Sequence, residues 1–223
     1  MEKVVRVVVV VVGLLGWGGS TARADDFAAQ QKLIDESRLV VEQLKVDPKL
    51  GAKARALVHK SRAVLAVPEL VKAGLIVGGM GGAGVLLARD SKNKWSYPCF
   101  YDMGGGSFGL QIGGQVSKVL LIVMNEPALE RLLKGKVEFG AGADATVANL
   151  EADVEANPNV DIYSVVESEG LFAGATVEGA STSPSKNRNK AYYGRDVSAE
   201  DIVLRGVVKN AGTDALRDSL AKF

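Results

Sequence analysis

Glycine breaks up nearly every apolar run between residues 73 and 181, and that pattern narrows the possible folds more than any other feature of the chain. The runs are short and β-branched or alternating, at 75–77, 85–88, 108–112, 119–124, 137–147 and 162–166. Such runs read as strands, and glycines inside them read as bulges, strong curvature or close backbone approach. Helical patterns flank this region. Residues 25–46 carry Leu33, Ile34, Val40, Val41 and Leu44 on helical spacing. Asp47-Pro48 offers an N-cap and a first-turn proline to a second helix. Leu50, Ala54, Leu57, Val58, Ser61 and Leu65 form its apolar stripe, and Pro68 is expected to end it. Behind an Asn125 cap, residues 127–134 read as a short helix, and the polar residues 181–190 read as a long hairpin loop. Ser198 and Asp201 fit a capping box, and Thr213 opens a last helix whose Leu216, Leu220 and Phe223 share a face. The expected fold class is α+β: a glycine-rich, strongly curved, mostly antiparallel sheet with an N-terminal helix pair and C-terminal helices.

Two stretches imitate catalytic motifs. Gly79-Met80-Gly81-Gly82-Ala83-Gly84 fits G-x-G-x-x-G, but a dinucleotide site needs a helix to follow, and polar Asp90-Ser91-Lys92-Asn93 comes too soon. Gly105-Gly106-Ser107-Phe108-Gly109 fits the nucleophile elbow, which requires a downstream histidine. The only histidine, His59, lies upstream of Ser107 and on the water side of its expected helix. One histidine and one cysteine, Cys99, do not make a zinc site, and Cys99 reads as a small buried apolar group. Glu151, Asp153 and Glu155 alternate as on the solvated face of a strand. The sequence thus points away from an enzyme: no catalytic residue, no metal ligand set and no cofactor is assigned.

Residues 1–24 have the three parts of a secretory signal peptide: Lys3 and Arg6, an apolar run of 11 residues at 7–17, and Ala22-Arg23-Ala24 as the cleavage site. The run is short of the roughly 20 residues a membrane-spanning helix needs. The expected mature domain, 25–223, has a net charge of −1, which argues against a general nucleic-acid binder. With a single cysteine it forms no internal disulfide. Charge is unevenly placed. Residues 45–72 sum to +5, whereas residues 125–169 carry ten acidic against three basic residues. On a helical wheel Lys49, Lys53 and Lys60 flank one side of the apolar stripe, and Arg55 and Arg62 flank the other. Basic residues beside an apolar stripe suit a lipid surface, since they reach headgroups while the stripe meets the acyl boundary. A stripe packed on the sheet, with its flanking charges in water, is the competing reading.

Four ordered blocks resemble the SYLF family. They are residues 63–79, beginning Ala63-Val64-Leu65-Ala66-Val67-Pro68; residues 106–115, Gly-Ser-Phe-Gly-Leu-Gln-Ile-Gly-Gly-Gln; residues 170–179, beginning Gly170-Leu171-Phe172-Ala173-Gly174; and Tyr192-Tyr193-Gly194. Leu75 stands where the family often has an aromatic residue. The resemblance implies lipid binding, with phosphoinositides and other anionic lipids for eukaryotic relatives and actin for fungal ones; bacterial relatives commonly carry an export signal and stand alone. The resulting expectation is an exported, periplasmic or extracellular protein, peripherally associated with anionic membrane lipids through Lys49, Lys53, Arg55, Lys60, Arg62 and Lys72. Actin is not an expected partner of an exported chain. The alternative is a cell-envelope structural or interaction protein with no direct lipid role.

Overall fold

The computed structural model describes residues 18–74, 77–90, 92–108, 113–140, 144–150, 159–173, 177 and 179–223. Four long strands form its centre: β1 (Ala63–Gly74), β2 (Val77–Ala88), β3 (Cys99–Phe108) and β4 (Gly113–Val123). With β5 (Val137–Glu138), β6 (Val147–Asn149), β7 (Ile162–Ser168), β8 (Leu171–Ala173) and β9 (Ala180–Pro184) they make one curled sheet. Its order is β5-β9-β3-β2-β1-β4-β7-β6, with β8 on β7. Among the named strands every pairing is antiparallel except β6 with β7. The α+β class and the mostly antiparallel curved sheet therefore stand.

Helices cover both faces. Leu65, Leu86, Tyr101 and Leu121 point to one face, where α3 (Glu126–Lys134) and α5 (Ala199–Val203) supply Leu129, Leu132 and Ile202. Val64, Leu87, Phe100, Leu120 and Tyr163 point to the other. There they meet Ile34, Val41 and Leu44 of α1 (Gly18–Lys45), Leu50 and Val58 at α2 (Gly51–Lys60), and Leu216 and Leu220 of α6 (Asp214–Ala221). Strand alternation thus feeds two apolar layers, one on each side of the sheet.

Strand β1 begins where the sequence suggests helix. The second helix stops at Lys60, Leu65 lies in the sheet, and Pro68 sits inside the central strand. Proline has no N–H to give a ladder, so it belongs at a bulge. The pairing of β1 shifts register on both sides here, between Ala66 and Glu69 against β2 and between Val67 and Leu70 against β4. Neither neighbour pairs with Pro68, and the bulge presses the strand onto β2. A Cβ on Gly84 would stand 2.7 Å from the Ala66 carbonyl oxygen.

Residues 181–190 are a strand and a helix rather than a loop: β9, then α4 (Lys186–Tyr193). Their polar residues bond to the backbone of β3 and to the start of α4. The Thr182 hydroxyl donates to the Asp102 carbonyl, and buried Asn189 accepts from the Phe100 N–H at 2.9 Å and donates to the Ser185 carbonyl. Other local signals read directly. Asn125 Oδ1 accepts from Ala128 N–H at 2.9 Å, Ser198 and Asp201 form the reciprocal capping box, and Leu216, Leu220 and Phe223 are all buried.

Candidate lipid-facing surface

Helix α2 has one buried face, made by Gly51, Ala54, Leu57 and Val58, and Leu50 just before it is also buried. Its approach to α1 is tight: a Cβ on Gly51 would lie 2.9 Å from the Lys45 carbonyl oxygen. Asp47 Oδ1 accepts from the Lys49 and Leu50 N–H groups at 2.9 and 2.7 Å, so it caps the turn that leads into the helix, which itself starts at Gly51. The apolar stripe is therefore core, and it is not available to acyl chains. The basic residues around it remain outside. Lys49, Arg55 and Lys60 are exposed and Lys53 is half-buried, with His59 exposed beside Lys60.

The six basic positions do not form one surface. Arg62 Nε pairs with Glu126 Oε2 at 2.7 Å, which offsets its charge. Lys72 lies far along β1, paired in register with Met80 and Gln115. At about 3.3 Å per strand residue it stands roughly 30 Å from Arg62. What the sequence presents as a single +5 segment is a basic cluster at the base of the sheet plus one isolated lysine near its glycine-rich end. Conversely, Lys92 and Lys94 are exposed on the connection between β2 and β3, which returns to the base beside the last turn of α2. They lie twenty residues beyond the basic stretch. The polar run 90–94 reads in sequence only as a break between strands.

The imitated motifs resolve in the same frame. The glycines of Gly79–Gly84 lie within β2. Ser107 lies in β3, opposite Gly78, and the next described element is strand β4 rather than a helix. Ser107 is at the glycine-rich end and His59 at the base, so the two share no site. Cys99 is buried and reduced, and burial pushes its thiol up to about 12 against the opposing effect of an Asn189 hydrogen bond. Among the described residues no group of three or more His, Cys, Asp or Glu could hold a metal ion, and no helix is long and apolar enough to cross a membrane. Glu151, Asp153 and Glu155 lie outside the described residues.

The described structure is a curled sheet with helices on both faces and a basic cluster at its base. Residues 104–223 match the family model described as Ysc84, Las17-binding protein actin regulator. The chain belongs to this Ysc84, or SYLF, family. It is similar to SH3 domain-containing YSC84-like protein 1 of Rattus norvegicus, 34% identical over 165 residues that cover 71% of this chain and 48% of the relative. The Xenopus laevis protein of the same name is 33% identical over 185 residues, covering 80% of this chain and 52% of the relative. LAS seventeen-binding protein 3 of Saccharomyces cerevisiae (strain ATCC 204508 / S288c) is 28% identical over 152 residues, covering 65% and 33%. The chain spans about half the length of the first of these relatives. No solved structure matches it.

Proposed function

We propose that this chain is an exported protein that docks peripherally on anionic phospholipid surfaces through the basic cluster at the base of its sheet. The observation that carries this reading is the division of α2: its apolar face is buried, while Lys49, Arg55 and Lys60 remain exposed around it, with Lys53 at the margin. Docking is then electrostatic, without insertion of the helix. Basic residues near an anionic surface contribute about 1 kcal/mol each, an attraction that salt weakens. Family membership supports lipid as the partner, and the acidic balance of the mature chain disfavours nucleic acid.

Residues 1–24 serve as the export signal in this reading, which places the mature protein in the periplasm or outside the cell. Their removal is compatible with the packing of α1, because residues 24–29 are exposed and the buried Leu33 and Ile34 lie within the retained chain. The description of the family as an actin regulator applies to relatives; an exported chain does not meet actin. No cofactor enters this function.

Flotation of the purified 25–223 chain with phosphatidylglycerol-containing vesicles, against phosphatidylcholine vesicles, tests the reading. Binding to the anionic vesicles alone is expected, and Lys49→Glu/Lys53→Glu/Lys60→Glu removes most of it while the circular-dichroism spectrum stays unchanged. A triple variant that binds as tightly as the parent contradicts the proposal.

A further inference from the structure

The connection between β2 and β3 is a built element. Asp90 Oδ1 accepts from the N–H groups of Lys92 and Lys94, both at 2.8 Å, and the Asn93 N–H donates to the Asp90 carbonyl at 3.0 Å. Asn93 takes a left-handed conformation, φ 61°, which asparagine tolerates better than most side chains. The carboxylate of Asp90 is thereby turned onto backbone amides, and it is held below its ordinary value first by the Lys94 amide. The side chains of Lys92 and Lys94 project into solvent. Residues 89–95 carry three basic side chains and one acidic one.

Arg89 fastens this loop to α2. Arg89 is buried, 8% exposed as a residue, and its guanidinium donates to Asn93 Oδ1 at 2.8 Å and to the Val58 carbonyl at 3.2 Å, in the last turn of α2. The guanidinium lies over the Trp95 ring at 4.3 Å, and the backbone N–H of Arg89 donates to the Arg62 carbonyl at 2.8 Å. Among the described residues no carboxylate pairs with it. Burial, and then the charge of Arg62, lowers its pKa from the ordinary arginine value. A buried guanidinium without a carboxylate is costly, so hydrogen bonds and the aromatic face must offset its lost hydration. On the far side of the loop, Arg217 of α6 donates to the Trp95 carbonyl at 3.1 Å and stacks on Tyr97. The loop is therefore held at both ends, and Arg89 fastens it to the last turn of α2, the turn that carries His59 and Lys60.

We infer that Lys92 and Lys94 form a second headgroup-binding segment on the same face as α2, with Arg89 as the residue that positions them for the phosphates of an anionic lipid surface. The inference rests on the proposed docking mode and adds to it. Two segments distant in sequence supply one cationic face, and the loop's half is rigid before the lipid arrives. Preorganisation lowers the ordering cost that otherwise offsets contacts made by long side chains.

The test measures partitioning of the 25–223 chain onto vesicles of phosphatidylglycerol and phosphatidylcholine for the parent, Lys92→Glu/Lys94→Glu, Arg89→Gln and the α2 triple variant. The loop double variant is expected to bind at least about thirty-fold more weakly than the parent. Arg89→Gln is expected to weaken binding while amide exchange at residues 92–94 accelerates in lipid-free protein, a readout that a purely electrostatic loss does not move. Where Arg89→Gln unfolds, Asn93→Gly/Asp90→Asn releases the loop without touching the core. Loss of binding in the α2 triple variant with full binding in the loop double variant overturns this inference and leaves the docking mode standing. A parent chain that binds no anionic vesicle overturns both.

Discussion

Arg62 and Lys72, ten positions apart in one basic stretch of sequence, stand at opposite ends of strand β1. Arg62 joins the sheet to α2 and pairs with Glu126, whereas Lys72 is half-exposed near the glycine-rich end. A flat lipid surface that contacts Lys60 lies far from Lys72, beyond the Debye length of about 10 Å at 0.1 M salt. Lys72→Glu is therefore expected to leave vesicle binding within about two-fold of the parent, while Lys60→Glu weakens it by about ten-fold. Equal losses from both variants in a flotation assay would place the contact elsewhere on the molecule.

Glycines in the sheet are not equivalent. At Gly105 an added Cβ would overlap the Gly179 carbonyl oxygen, backbone against backbone across β3 and β9, whereas at Gly81 it would meet nothing within 4 Å. Gly105→Ala should destabilise by about 1–3 kcal/mol, the usual cost of overpacking where the neighbour cannot yield, while Gly81→Ala stays within about 0.5 kcal/mol of the parent. Urea denaturation of the two variants decides this; equal midpoints would mean that β9 yields to the extra methyl.

Much of the fold was legible because its signals are local. Asn125, the Ser198–Asp201 box and the Leu216–Leu220–Phe223 face each act within a few residues. Of the glycine-broken runs, residues 85–88, 119–123 and 162–166 fall in strands, whereas 75–76 and 109–112 lie outside the described residues. Sequence and structure part where tertiary context decides. Leu65 continues a helical stripe, yet it belongs to a strand, and Pro68 reads as a helix stop because a proline bulge in a central strand depends on neighbours not adjacent in sequence. Ser181, Thr182 and Ser183 read as loop because a strand that uses hydroxyls on neighbouring carbonyls has no apolar alternation. The basic site was half legible: the α2 cations were visible, but Lys92 and Lys94 reach them only through the β2 to β3 return.

Cys99 should be inert in the folded protein. Its raised pKa, about 12 against an ordinary 9.0, follows from burial. The sign follows directly: the unfolded thiol loses its proton at lower pH than the folded one, so its contribution to stability is complete below about pH 9 and is lost as pH rises toward 12. Native protein should resist iodoacetamide at pH 8 and become labelled in urea. Rapid labelling without denaturant would contradict the buried placement.

Removal of residues 1–24 should cost little stability. The first ring contact of α1 is the stack of Phe27 on Tyr192 at 5.1 Å, and Gln31 then donates to the Gly212 carbonyl at 2.8 Å, all within the retained chain. In cells making the full chain, N-terminal sequencing of the exported form should begin at Asp25. Thermal melting of the 25–223 chain should be cooperative; a broad, non-cooperative melt would show that the earlier residues belong to the fold.

Salt titration of lipid binding tests the central claim most directly. If the basic face docks by charge alone, with the α2 stripe locked in the core, raising NaCl from 0.1 to 1 M shortens the Debye length from about 10 to about 3 Å and should release the 25–223 chain from phosphatidylglycerol vesicles. Retention at 1 M NaCl, unchanged by the α2 and loop charge reversals, would contradict electrostatic docking and assign the contact to an apolar part of the sheet.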